Sequence, residues 1–173
     1  MGPMETKSQI RTDSPPKIHV LCASGSDQDH SDLRRILKSA TGVAGDADWV
    51  VHVCLNLAAA RSVLSLHPIA VAVCDAEMPD GNWVQFLDHL TVLPDPPALI
   101  VSSRLADEQL WSVALNCGAY DVLPKPYAVA EVVRTLNSAW RHWDNRELPA
   151  GRKRVTAAGA GSGSDADPLA RTA

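Results

Sequence analysis

Residues 69–81 read IAVAVCDAEMPDG: six apolar residues, an aspartate, and then a proline and a glycine that turn the chain. A continuous apolar run of this length, without polar alternation, predicts a strand buried on both faces, and such strands belong to parallel sheets covered by helices. The flanks agree. Downstream, Trp83, Phe86, Leu87 and Leu90 fall at helical spacing, and Ala98–Val101 is a further apolar run after a proline-rich turn. Leu110, Val113, Ala114 and Cys117 repeat the helical stripe, which stops at Gly118, a residue suited to a helix C-cap. Tyr120–Leu123 predicts a fifth strand, and Val129, Val132, Val133, Leu136, Trp140 and Trp143 an amphipathic final helix. Upstream, Ile18–Ala23 and Trp49–Cys54 predict two more strands. Leu33, Ile36, Leu37 and Ala40 share one helical face behind Ser31 as the expected cap, and Asn56 caps a segment carrying Leu57, Ala60 and Leu64. Strands alternating with helices imply a parallel sheet with helices on both faces, because a parallel crossover needs a helix between its strands. Five such units are too few for an eight-fold barrel and fit an open, doubly wound (βα)5 three-layer α/β sandwich.

Composition narrows the functional classes. The 173 residues carry 16 Lys and Arg against 20 Asp and Glu, a net charge of −4, with 46% hydrophobic and 21% charged residues. That balance is globular, and its mild acidity does not provide the basic footprint of a DNA-coating surface. No window approaches the roughly 20 apolar residues of a membrane span, and the polar N-terminus lacks a secretory h-region, so a cytoplasmic protein is expected. The four cysteines, Cys22, Cys54, Cys74 and Cys117, form no CxxC pair and read as small buried hydrophobes. His19, His52, His67 and His89 show no metal-ligand spacing. Residues 1–16 and 144–173 are expected to be flexible tails around a domain at 17–143, since their polar, Gly/Ala/Ser-rich composition buries too little apolar surface to offset ordering entropy.

In open α/β sheets, ligands bind at the carboxyl ends of the strands. Asp75 follows the third strand, Ser102 and Ser103 the fourth, and Pro124-Lys125-Pro126 the fifth. A carboxylate is a nucleophile toward phosphorus, while a lysine and a hydroxyl can stabilise charge on a transferred phosphoryl group. Each residue also has a plainer reading, as helix cap, exposed loop lysine or ordinary loop serine, and it is their combination that points to phosphoryl transfer.

Asp75-x-x-Met-Pro-Asp-Gly81, the hydroxyl after strand four and Gly118-Ala119-x-Asp121-x-Leu-x-Lys125-Pro126 together resemble the receiver domain of bacterial response regulators. The resemblance implies a flavodoxin-like sheet of order 2-1-3-4-5, with Asp75 as phosphoacceptor, Lys125 on the phosphoryl group, Ser102 as switch hydroxyl and a cis peptide before Pro126. It implies Mg2+ held by Asp75 and the backbone carbonyl of Glu77, and a sensor histidine kinase or phosphotransfer protein as phosphoryl donor. It also implies a downstream protein target and a homodimer through the last helix, with neither nucleic acid nor membrane contacted directly.

Two positions depart from the family pattern. The acidic pair expected after strand one falls on Cys22-Ala23 when counted forward from the strand and on Gln28-Asp29 when counted back from the helix. A lengthened loop is therefore expected, with Asp27 or Asp29 folding back to serve the metal, or else no metal site. Val122 stands where the family has an aromatic residue, and Tyr120, two positions away, is expected on the same side of the strand. Two alternatives stay open: a phosphorylation-independent receiver acting as an interaction module, and an unrelated nucleotide or flavin binder using Ser24-Gly25-Ser26.

Overall fold

The computed structural model describes residues 16–40 and 48–146. The expected tails therefore lie almost wholly outside the described residues. Every apolar run becomes a strand: β1 (Lys17–Ala23), β2 (Asp48–Cys54), β3 (Ile69–Asp75), β4 (Ala98–Ser103) and β5 (Asp121–Pro124). All neighbours pair in parallel, in the order β2-β1-β3-β4-β5. Five helices connect and follow them: α1 (Asp27–Ala40), α2 (Leu57–Leu66), α3 (Trp83–Thr91), α4 (Glu108–Cys117) and α5 (Val129–Asn145). A two-residue antiparallel ladder, Glu77–Met78 with Gly81–Asn82, shapes the turn into α3. None of the described helices is long and apolar enough to cross a membrane.

Side-chain alternation along the strands feeds two cores. Leu21, Ala23, Ala72, Cys74, Leu99 and Val101 pack under α2, α3 and α4 with Leu57, Ala60, Phe86, Leu90 and Ala114. Val20, Cys22, Val71, Val73 and Ile100 face α1 and α5 with Leu33, Ile36, Leu37, Leu136 and Trp143. β3 is buried along its apolar length, as its composition predicts. Cys22, Cys54 and Cys74 are buried thiols, and burial pushes Cys22 up to about 12 and Cys54 up to about 11. Cys117 is exposed on α4.

The expected caps at Asn56 and Gly118 form: Asn56 Oδ1 accepts from Ala59 N, and Gly118 adopts φ 108° in the left-handed region. Ser31 is not a cap. α1 begins at Asp27, where Ser26 Oγ accepts from Asp29 N at 3.3 Å, and Ser31 sits a turn inside with its hydroxyl bonded back to Asp27 O. The connection after β1 is consequently only Ser24-Gly25-Ser26, and Asp27 and Asp29, expected in a lengthened loop, lie in the first turn of α1. Tyr120 precedes β5 and packs on the α1/α5 side, its hydroxyl 2.6 Å from Ser138 Oγ, whereas Val122 is buried in the opposite core. The two do not share a side, because Tyr120 lies outside the regular strand.

On the α2 side the register between β1 and β3 slips between His19 and Val20. There the ring of His19 stacks on those of His52 and His67, which are tilted to one another, with centroids 4.3–5.7 Å apart. Burial first, then the neighbouring imidazole of His67, holds His19 and His52 below the ordinary histidine value.

Candidate functional site

The carboxyl ends of β1, β3, β4 and β5 converge on one polar cluster. β3 delivers Asp75, and its register partner on β4 is Ser102. Ser102 Oγ donates to Asp75 Oδ1 at 2.8 Å. Lys125 Nζ approaches the same oxygen at 2.5 Å. Lys125 follows β5, where its backbone N–H bonds Ser103 O at 2.9 Å and continues the pairing with β4; its peptide to Pro126 is cis. Asp75, Ser102 and Lys125 thus meet at one point, as their sequence positions predict.

The acidic partner is Asp29. Its carboxylate is buried, with a side-chain exposure of 8%, and its Oδ2 lies 2.6 Å from Lys125 Nζ. The early start of α1 makes this possible: Asp29 sits in the first turn, so its side chain drops toward the end of β3. The favourable field at a helix N-terminus adds to its stabilisation. Asp27 does not join the cluster; its side chain is 97% exposed and faces His30 Nδ1 at 3.9 Å. Glu77 is exposed in the short ladder two residues beyond Asp75, placing its backbone beside the end of β3.

Sequence reasoning did not single out Ser24 as a partner of Asp75. Its hydroxyl, fully buried, donates to Asp75 Oδ2 at 2.7 Å, lies 3.2 Å from Asp29 Oδ2, and accepts from Ser26 N. The same rule that found Asp75, attention to the first residue beyond each strand, applies to it. Arg104, directly after β4, stands at the mouth with its guanidinium 3.8 Å from Asp29 Oδ1. Tyr127 lies partly buried behind the cis peptide, and burial pushes its phenol upward. Two carboxylates share one internal ammonium, a formal excess of one negative charge, and among the described residues Arg104 approaches it at the rim.

Asp80, inside the motif that carries the resemblance, does a different job. It accepts from Leu57 N at 2.7 Å and Ala58 N at 3.0 Å, capping α2 from across the turn. The helix after the motif is capped by Asn82, in a capping box with Gln85. Of the two indoles of α5, Trp143 is buried, whereas Trp140 is half-buried and meets Trp49 edge-on at 6.3 Å.

Residues 20–137 match the family described as the response regulator receiver domain. The chain is 30% identical over 81 residues to the transcriptional regulatory protein DpiA of Escherichia coli K12, covering 47% of this chain and 36% of that protein. It is 31% identical over 112 residues to the protein-glutamate methylesterase/protein-glutamine glutaminase of Photorhabdus laumondii, covering 64% of this chain and 30% of the relative. The chain therefore spans about a third of the length of these curated relatives. Its fold matches the signal receiver domain of an HD domain-containing protein from Pseudomonas fluorescens Pf-5 with a TM-score of 0.65, at 18% identity over 75% of this chain and 99% of the other.

Proposed function

Because this chain belongs to the response regulator receiver domain family, we propose that it accepts a phosphoryl group on Asp75 and signals by changing its affinity for a partner protein. One observation carries the reading. Asp75 Oδ1 is held by the Lys125 ammonium at 2.5 Å and the Ser102 hydroxyl at 2.8 Å, at the carboxyl end of the middle strand. An isolated helix cap would need neither partner.

The chemistry follows from the cluster. A carboxylate oxygen of Asp75 attacks phosphorus, and the bond from phosphorus to the donor's leaving atom breaks with its electron pair. For a phosphohistidine donor the departing imidazole nitrogen then takes up a proton, and an acyl phosphate remains on Asp75. Negative charge on the transferred oxygens needs preorganised positive charge and donors. Lys125 and the Ser102 and Ser24 hydroxyls provide these within the cluster, and Arg104 can approach from the rim. As the acyl phosphate forms, Lys125 exchanges its bond to Asp75 for one to a phosphoryl oxygen, and Ser102 is positioned to follow.

Receiver domains are generally Mg2+-dependent, and the donor set here suits that ion. Asp29 and Asp75 are hard oxygen ligands with one excess negative charge between them, and Mg2+ typically takes one or two carboxylates while keeping several waters. We assign them as its ligands, with the Glu77 backbone carbonyl as the third and without Asp27. Bound there, the ion supplies countercharge to the incoming phosphoryl group. The convergence of Asp29, Lys125, Ser102 and Ser24 on Asp75 favours this reading over a phosphorylation-independent module. The proposed partners are a sensor histidine kinase or phosphotransfer protein as donor and a downstream protein as target, with the domain spanning 17–143 and the last two residues of α5 beyond it.

Incubation with acetyl phosphate and Mg2+ tests the assignment. The expected result is one hydroxylamine-labile phosphoryl group per chain by mass spectrometry, absent in Asp75→Asn. A phosphoryl group retained in that variant, or none in the native chain, rejects it.

A further inference from the structure

A second cluster lies away from the strand ends that carry Asp75. His19 in β1, His52 in β2 and His67 at the C-cap of α2 are remote in sequence, yet their ligand nitrogens all lie within 4.8 Å of one another. His19 Nδ1 is 2.8 Å from His52 Nε2. Among the described residues this is the group whose His, Cys or carboxylate atoms converge in this way.

We propose that these three imidazoles form a binding site for a divalent transition cation of the zinc class. Three neutral nitrogen donors without a carboxylate suit zinc, cobalt, nickel or copper, and do not suit Mg2+ or Ca2+. Ligands about 2.0–2.1 Å from a tetrahedral zinc ion sit roughly 3.4 Å from one another, so sub-ångström to ångström ring movements bring the three nitrogens into place. A tri-histidine set leaves a fourth position for water.

The backbone around the cluster is already set. His67 donates its N–H to Val63 O at 3.0 Å and accepts from Ile69 N at 2.9 Å, so the last turn of α2 and the start of β3 hold it from both sides. The register slip falls directly at His19, which opposes Ile69 while Val20 opposes Val71. Such irregularities re-aim a side chain relative to a regular ladder. The Nδ1···Nε2 hydrogen bond between His19 and His52 occupies the lone pair of one ring, and an ion would replace that bond with two coordinate bonds once the donor ring passes its proton, through solvent, to its other nitrogen. A bound cation would tie β1, β2 and the end of α2 together. Its binding free energy would then appear as resistance to unfolding.

The full chain, stripped with a chelator, is titrated with Zn2+ in equilibrium dialysis, and with Co2+ monitored in the visible range. The expected result is one Zn2+ per chain and the intense d–d absorption of tetrahedral Co2+. His67→Ala and His52→Ala, each checked for folding by circular dichroism, should each weaken binding about tenfold or more. His89→Ala, on α3, should leave binding unchanged. Zn2+ should raise the melting temperature of the native chain and of His89→Ala, and of neither cluster variant. Absence of saturable binding to the native chain, or one-ion binding that survives the cluster substitutions, overturns the site. The phosphorylation assay on Asp75 is independent of both outcomes.

Discussion

Lys125 is the residue on which the strand-end cluster depends, because its ammonium is the internal countercharge for two carboxylates at 2.5 and 2.6 Å. Removing one partner of a buried ion pair strands the other in a poorly solvating environment, at about 3–5 kcal/mol. Lys125→Met is therefore expected to lower unfolding free energy by that amount in urea denaturation, and Asp29→Asn in the same chain to restore part of it. A loss below about 1 kcal/mol, with no recovery, would mean the carboxylates are solvated well enough to stand alone. Asp29 is the residue for which the sequence leaves two positions open. Counting from the strand lands on Cys22-Ala23 and counting from the helix on Gln28-Asp29, and only the observed start of α1 decides between them. If Asp29 helps hold the countercharge for the phosphoryl group, Asp29→Asn should slow phosphorylation by acetyl phosphate and Mg2+ by about 10²–10³. Asp27→Asn, whose side chain faces solvent, should be unchanged. Equal rates for Asp29→Asn and the native chain would remove Asp29 from the site.

At the scale of elements, α2 depends on a residue from outside itself. Asn56 satisfies the N–H of Ala59, and Asp80 satisfies those of Leu57 and Ala58. These hydrogen bonds, the one from Leu57 foremost, hold the Asp80 carboxyl below its ordinary value of 3.8. A depressed folded-state value means that the unfolded chain binds the proton more readily. The stabilisation is thus present above that ordinary value and is lost as pH falls through the lower, folded one. The melting temperature of Asp80→Asn should accordingly fall below that of the native chain near neutrality, and the gap should close as pH drops below about 4. A gap that stays constant across that range would assign the capping to dipoles rather than to the charge. Elements were the most legible level in the sequence, since the apolar runs of β1 to β5 and the helical stripes of α2 to α5 act locally. What stayed hidden depends on distance. Ser31 looks like a cap until Ser26 is seen to hold the helix start. Asp80 caps a helix more than twenty positions upstream. The three histidines have no motif spacing because parallel register, not sequence proximity, brings them together.

Across the whole molecule, burial is distributed unevenly over a sheet that is packed on both faces. β3 lies in the middle with six buried residues out of seven, while α4 buries only Ala114 of its ten. Leu110 and Trp111 are only partly packed, and Val113 and Leu115 remain substantially exposed. Local opening costs least where few apolar contacts are lost, so different segments of one native state can exchange amide hydrogens at very different free energies. The same helix starts five residues beyond Ser103 and ends just before the turn into β5, so it is flanked by the strands that deliver Ser102 and Lys125. A movement of either group on phosphorylation would reach this weakly anchored element before it reached the doubly covered strands. Native-state hydrogen exchange should therefore show α4 amides opening by local fluctuation, well below the global unfolding free energy, with β1, β3 and β4 exchanging only through global unfolding. Beryllofluoride with Mg2+ should change protection in α4 and β5 more than in α1 or β2. Uniform protection across α4 and β3, or a response confined to α1, would contradict the view that the sheet is a rigid platform and α4 the yielding part.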